Sequence, residues 1–346
     1  MTDIKSMTIS ELKDYAASLG EPSYRAVQIY GWLHKKMVGD FDEMSSLSGS
    51  LRNRLKKECT LTVLKKAAVQ ISRIDDTHKY LFELPDGNLI ESVMMRYHHG
   101  NSVCISSQVG CRMGCRFCAS TIDGLERNLN AGEMLDQIYR IEEDISGRVS
   151  NIVVMGSGEP LDNYDNLVRF IRMVSDADGL NISQRNITVS TCGIIPGIRR
   201  LAEEKLQITL ALSLHAADDE TRKKLMPVAA GYPISELMEV CGYYFKMTGR
   251  RVTFEYSLVA GVNDTAEEAD KLIRLLRHKN CLVNLIPVNP VRGNSFRESS
   301  PEHVLLFKNR LENNGINATI RREMGRDIDG ACGQLRRHYK EKPELC

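Results

Sequence analysis

The chain has 346 residues, 42% of them hydrophobic and 26% charged, with a formal net charge of +1 at neutral pH. Such a composition suits a globular protein of one large domain plus a small one, and excludes a disordered chain. With no apolar run of membrane-spanning length and no signal-peptide core in MTDIKSMTIS, a cytoplasmic protein without a membrane partner is expected.

From the N-terminus, Thr8-Ile9-Ser10-Glu11 is a capping-box pattern that opens a helix running to Gly20. A second helix follows Pro22 through YRAVQIYGWLHKK, and a third carries Leu47, Leu51 and Leu55 at helical spacing. Short β-like runs come next: KKAAVQISRI, then KYLFEL and NLIESVMM around the turn Pro85-Asp86-Gly87. Residues 1–95 therefore read as an accessory domain, helices first and a small antiparallel sheet after. Residues 96–346 read as a second domain with a different rhythm.

In that second part strands and helices alternate. Strand candidates are 103–108, 151–155, 186–191, 208–215, 252–258 and 282–289. Helical patterns between them put Met134, Leu135, Ile138, Ile141 and Ile145 on one face, and Ala269, Leu272, Ile273 and Leu276 on another. Apolar strands alternating with amphipathic helices predict a parallel sheet with crossover helices, here a partial (β/α)6 barrel. In parallel α/β folds the chemistry gathers at the C-terminal strand ends.

The segment CRMGCRFCAS sits just after the first of these strands, with Cys111, Cys115 and Cys118 at C-x3-C-x2-C spacing. Ten cysteines in a cytoplasmic chain point to metal or catalytic duty more than to a disulfide scaffold. Three unrelated thiols, or a zinc site completed by a distant ligand, are the plain readings. No second C-x2-C pair accompanies the three, however. The sharper reading is a four-iron cluster held by three thiolates with one iron left open for a small molecule. With Phe117 before the last cysteine, the segment resembles the radical S-adenosylmethionine (SAM) enzymes. There the open iron chelates the methionine part of SAM, and electron transfer yields a 5′-deoxyadenosyl radical.

After the second strand comes GSGEPLDN, which alone could be a plain turn. By the same resemblance, Gly158-Glu159-Pro160 matches the segment that receives the SAM ammonium group. Ser190, the run Ser213-Leu214-His215, and Asn289 would line the rest of the SAM pocket from successive strand ends.

Taken together, SSQVGCRMGCRFCAS, GSGEPLDN, LALSLHA, NLIPVNPV and RDIDGACGQL resemble the RlmN/Cfr family of radical SAM RNA methyltransferases over nearly the whole chain. That resemblance implies a particular chemistry. An adenine ring carbon is too electron-poor to attack SAM directly, so one SAM methylates a carrier cysteine, a form of covalent catalysis. A second SAM, split at a 4Fe-4S cluster, makes that methyl group a radical that adds to the base. Cys332 matches the methyl carrier. Cys104 matches the cysteine that resolves the adduct through a disulfide. Glu91 matches a family proton acceptor, although an exposed strand glutamate is the ordinary alternative. Pro160 and Pro287 lean towards the branch that methylates carbon 2 of adenine, not the carbon-8 resistance branch. Ser157 and Cys192 depart from the commoner Met and Ser.

The implied substrates are adenosines in 23S rRNA and tRNA, and the implied reductant a flavodoxin or ferredoxin; a monomer is expected. RNA contacts are expected from RNRLKK (52–57) with Lys65-Lys66, and from Arg321, Arg322, Arg326, Arg336 and Arg337. Such runs are also common as solvated surface. Two rivals remain at this stage: another radical SAM activity, and a non-enzymatic iron–sulfur or zinc module that binds RNA.

Overall fold

The computed structural model describes residues 1–288, 296–328 and 333–341. Asn289, Cys332 and Cys346 lie outside the described residues. Among those described, the main sheet has ten strands. Seven of them run parallel in spatial order: Gly100–Ile105, Val149–Val154, Ile187–Thr191, Thr209–Ser213, Val252–Leu258, Cys281–Pro287 and Ala318–Ile320. The last, a three-residue strand, is one unit more than the sequence pattern suggests.

The antiparallel strands Lys65–Ile71, His78–Glu83 and Leu89–Tyr97 continue the same sheet, joining it where Leu89–Tyr97 pairs with Gly100–Ile105. The boundary expected at residue 95 thus falls inside a strand of an unbroken sheet.

Helices cover the parallel strands through the faces read from the sequence. Met134, Leu135, Ile138 and Ile141 of helix Ala131–Ile145 are buried, as are Ala269, Leu272, Ile273 and Leu276 of helix Ala266–Leu276. Burial of such stripes is the main favourable term. Capping fixes where helices start. Thr8 and Glu11 exchange backbone–side-chain bonds at the head of Ile9–Ser18, and Asn130 with Glu133 does the same for Ala131–Ile145. The first helix stops at Ser18, just before Gly20 turns left-handed at φ +73°.

The helices Ile9–Ser18, Tyr24–His34 and Gly49–Glu58 pack into the same apolar core as the barrel helices. A fully buried ion pair, Lys5 Nζ to Asp136 Oδ1 at 2.6 Å, ties the N-terminal segment to helix Ala131–Ile145. No helix among the described residues is long and apolar enough to cross a membrane.

Candidate active site

The sequence after Gly100–Ile105 forms a loop closed at its base by a small antiparallel ribbon, Gln108–Gly110 against Leu125–Asn128. The Cys111 amide donates to the Gly124 carbonyl at 2.9 Å. Gly110 adopts φ +76°, and a Cβ there would fall 2.0 Å from that same carbonyl oxygen, so only glycine lets the ribbon close. Within the loop, Cys111 is buried and Cys115 and Cys118 are half-buried.

Each of the three thiols lies within the electrostatic reach of the others. Burial pushes the Cys111 thiol up to about 12, with Cys118 adding to the rise. Burial raises Cys115 as well, reinforced by Cys118 and Cys111. Among the described residues no three His, Cys, Asp or Glu side chains converge as on a single metal ion. Three thiols on one short loop suit a cluster, in which each thiolate would bind its own iron. The soft, all-sulfur donor set fits the same group.

The floor of the loop is apolar. Met113, Cys115 and Phe117 pack against Cys192, Leu225 and Met226. The Arg116 amide donates to the Leu225 carbonyl at 2.9 Å. The Phe117 ring stands edge-on to His215 with centroids 4.9 Å apart.

Beside the loop, the ends of Val149–Val154, Ile187–Thr191 and Thr209–Ser213 lie adjacent in the sheet, bringing together Gly158, Glu159, Ser190, Ser213, Leu214 and His215. Gly158, at φ +106°, passes so close to Gln108 that a Cβ would meet its side chain at 2.6 Å. Glu159 is 4% exposed and accepts from the amides of Cys192 (2.7 Å) and Leu161 (3.1 Å). Burial pushes its carboxyl pKa up, against those bonds. No Lys, Arg or His among the described residues forms an ion pair with it. A buried carboxylate in this state fits an incoming ammonium group such as that of SAM.

His215 is buried in the left-handed region at φ +58°. Its Nδ1 accepts from the Ser257 amide at 2.9 Å, and its carbonyl accepts from Asn263 at 2.7 Å. Burial holds the His215 pKa down at about 3, and His34, packed against the Tyr139 hydroxyl at 2.7 Å, is likewise held at about 3. Both are therefore neutral when folded and gain protons on unfolding below their ordinary 6.5. The folded state should lose stability as pH falls from 6.5 towards 3, by roughly 1.4 kcal/mol per pH unit for each histidine. Denaturant midpoints of the cluster-free chain at pH 7 and pH 5 test this, and His34→Gln should lessen the acid sensitivity. An unchanged midpoint would contradict it.

Glu91 is not the exposed strand residue that is its ordinary alternative. It is 5% exposed and lies 3.1 Å from the ammonium of Lys79, which is itself fully buried. Its carboxylate accepts from the amides of Gly333 and Arg336, both at 2.6 Å, and so caps the helix Gln334–Glu341. Gly333 follows Cys332 in the chain. It packs against the segment after Cys118, where a Cβ on it would sit 2.9 Å from Ala119 and Ser120 backbone atoms. Cys104 pairs with Val93 across the sheet and is buried among Val93, Met95, Met155 and Met324. Because side chains alternate along a strand, Glu91 and Val93 face the same side.

The expected disulfide is not borne out among the described residues, and its second partner, Cys332, lies outside them. The expected basic patch is also more engaged than its charge suggests. Arg54 pairs with Glu58 at 2.9 Å and Lys56 with Asp42 at 2.6 Å, while Arg52 donates to the Asp42 carbonyl at 2.7 Å. Lys66 is paired with Asp144, and Arg326 with Glu323. Sequence reasoning missed Lys79 and Arg222, both fully buried. Arg222, in ETRKKL, carries the pattern of a solvated helix end and gives no signal of burial.

Comparison with known proteins agrees with this geometry. Residues 105–276 match the model of the radical SAM superfamily, and residues 2–61 match the ribosomal RNA large subunit methyltransferase N-terminal domain. A Lachnospira eligens protein described as "Probable dual-specificity RNA methyltransferase RlmN" is 61% identical, over 99% of this chain and 97% of that one. A Clostridium novyi protein of the same description is 51% identical, over 98% and 99%. The crystal structure of a radical SAM methyltransferase from Sphaerobacter thermophilus superposes with a TM-score of 0.92 at 43% identity, covering 96% of this chain and 99% of that one.

Proposed function

Because the chain belongs to the RlmN family of radical SAM RNA methyltransferases, enzymes that work with a 4Fe-4S cluster and SAM, we propose that it methylates carbon 2 of adenosine in 23S rRNA and tRNA through a methyl group carried on Cys332. The observation that carries this reading is the placement of Gly333, next in sequence to Cys332, against the loop that bears the three cysteines. Bound at that loop, a 4Fe-4S cluster would supply an electron to SAM and so a carbon radical able to take a hydrogen atom from a methyl group.

The chain's own residues do the rest. Cys111, Cys115 and Cys118 would hold the cluster, which would leave room for the amino and carboxylate groups of SAM. Glu159 receives the ammonium, and Ser190, Ser213, Leu214, His215 and Asn289 complete the pocket. The Cys332 thiolate attacks the methyl carbon of a first SAM, displaces S-adenosylhomocysteine and becomes a thioether. The target base is turned out of its stack to reach the carrier. After the methylene carbon has bonded to the ring, Glu91 takes the proton from carbon 2. With the adduct's unpaired electron returned to the cluster, Cys104 would attack the carrier sulfur, the carbon–sulfur bond would break, and the released carbon would take up a proton to leave with the RNA as a methyl group. The S–S bond so formed exists only within turnover, and an external thiol clears it. A flavodoxin or ferredoxin provides the electron, and the enzyme acts as a monomer in the cytoplasm.

Mass spectrometry of adenosines from rRNA and tRNA transcripts treated with the reconstituted enzyme tests the reading. We expect 2-methyladenosine in both, and a loss of at least about a thousandfold for Cys332→Ala, whose protein should carry no S-methyl group. Detection of 8-methyladenosine in its place would move the chain to the resistance branch. RNA methylation by Cys332→Ala at the wild-type rate would refute the carrier.

A further inference from the structure

Beneath the cysteine loop lies a guanidinium that the methyl-transfer scheme does not use. Arg222 stands on the short helix Asp219–Leu225 and is fully buried. Its Nη2 donates to the carbonyls of Cys192 (2.7 Å) and Ser213 (3.3 Å), its Nε to Leu214 (3.1 Å) and its Nη1 to Tyr232 (3.3 Å). Three of those carbonyls belong to the strand ends that carry Ser190 and the Ser213–His215 run. No carboxylate among the described residues comes within ion-pair distance of Arg222. Asp219, one turn earlier, acts on it only at longer range, and its Oδ1 accepts from the Ile234 amide at 2.9 Å.

An arginine cannot shed its proton, and burying a cation among neutral carbonyls is unfavourable unless an opposite charge lies close. On the side of the cysteine loop the candidates are sulfurs. The helix ends one turn after Arg222 at Leu225, whose carbonyl accepts from Arg116 of the cysteine loop. Pro227 packs under Gly114, and Leu225 and Met226 touch Met113, Cys115 and Phe117. Cys192 and Cys115, ahead of Asp219, are the neighbours that would favour the guanidinium once their sulfurs are ionised, as cluster binding would ionise Cys115.

We propose that Arg222 is a positioning residue with an electrostatic role, in that it pins the strand ends of the SAM pocket and provides the fixed positive charge that offsets the thiolate-bound cluster and raises its reduction potential. The inference rests on the reading that Cys111, Cys115 and Cys118 hold a 4Fe-4S cluster. Such a cluster carries net negative charge that grows by one on reduction, so a nearby cation favours the reduced form, and cluster potentials follow local charge and hydrogen bonding.

The test uses the anaerobically reconstituted full chain without SAM or RNA, titrated with a low-potential reductant and followed by EPR of the reduced cluster. Arg222→Lys keeps the charge and loses most of the carbonyl bonds. Arg222→Gln loses the charge and keeps an amide that can donate to two carbonyls. At a fixed potential the ratio of reduced to oxidised cluster should fall about tenfold in R222Q, a midpoint about 59 mV more negative. In R222K it should stay within about threefold of wild type. A wild-type potential in R222Q, or equal shifts in both variants, would overturn the electrostatic role. Without the cluster a buried unpaired cation is a burden, so R222Q should fold at least as well as R222K. An R222Q chain that fails to fold where R222K folds would also overturn it. A wild-type chain that forms no 4Fe-4S spectrum would instead refute the cluster reading underneath.

Discussion

Replacing Gly110 by alanine is expected to remove most of the chain's capacity to take up iron while leaving its melting temperature within a few degrees of wild type. At this position the backbone is left-handed, and an added Cβ would fall 2.0 Å from the Gly124 carbonyl oxygen and 3.1 Å from its carbon. Both obstacles are backbone, so neither can swing aside. The left-handed strain alone is worth roughly 1–2 kcal/mol, and relieving the clash means giving up the bond from the Cys111 amide to Gly124. Together these should shift the ribbon's closed-to-open ratio towards open by the order of 3 kcal/mol, about a hundredfold. The damage stays local because the ribbon lies outside the ten-stranded sheet. Gly124→Ala provides the control. It is also left-handed, at φ +71°, but nothing lies within 4 Å of its added Cβ, so only the strain applies. Iron content after reconstitution should fall to a small fraction in G110A and stay above half in G124A. Equal loading in the two would show that the ribbon does not set the spacing of the three thiols.

What could be read from the sequence, and what could not, follows from which physical signals are periodic. Met134, Leu135, Ile138 and Ile141 announce a helix face because burial recurs every turn, and the structure buries all four. The strand expected at 252–258 is found as Val252–Leu258 for a similar reason, an apolar run bounded by breaks. By contrast Ala318–Ile320 has three residues, two of them exposed, too few to show a pattern. The direction in which a strand runs leaves no mark on its composition, which is why the continuity of the sheet across residue 95 had to come from the fold.

Glu91 was hidden by burial on both faces. Ile90 to Met95 are all buried, so the alternation that would separate an inward from an outward glutamate is absent. Its capping of the helix Gln334–Glu341, from 242 residues away, is a long-range fact that no local window contains. The loop cysteines were readable for the opposite reason: their spacing is local, and the loop that holds them is closed by residues within the same short stretch.

Asp136→Asn is the substitution expected to lower overall stability most, by about 3–5 kcal/mol. Asp136 and Lys5 are both fully buried, with Nζ and Oδ1 at 2.6 Å. Asp136 Oδ2 also accepts from the Leu64 amide at 2.7 Å, and Arg140 lies 3.7 Å away. An asparagine keeps the shape but leaves the Lys5 ammonium in an apolar interior with a neutral amide and the Tyr139 ring at 5.7 Å in place of a counter-charge. Lys5→Met is milder, about 1–3 kcal/mol, because Asp136 then retains the Leu64 amide and Arg140. Adding Lys5→Met to Asp136→Asn should therefore recover part of the loss, since the stranded cation is gone. Urea denaturation of the four chains measures this ordering. Asp136→Asn within about 1 kcal/mol of wild type, or Lys5→Met as the worse of the two, would refute it. The pair also matters to the site. Gln137, the next residue, accepts from the Ser106 amide and the Ser92 hydroxyl at 2.8 Å each, and Ser106 bridges the Glu91 carbonyl at 2.7 Å to the Ser157 amide at 3.0 Å. A helix loosened at Asp136 is therefore released at the same strand ends that present Glu91 and the GSGEP turn. Iron loading in Asp136→Asn should accordingly fall at temperatures below its unfolding midpoint, whereas Lys5→Met should load normally.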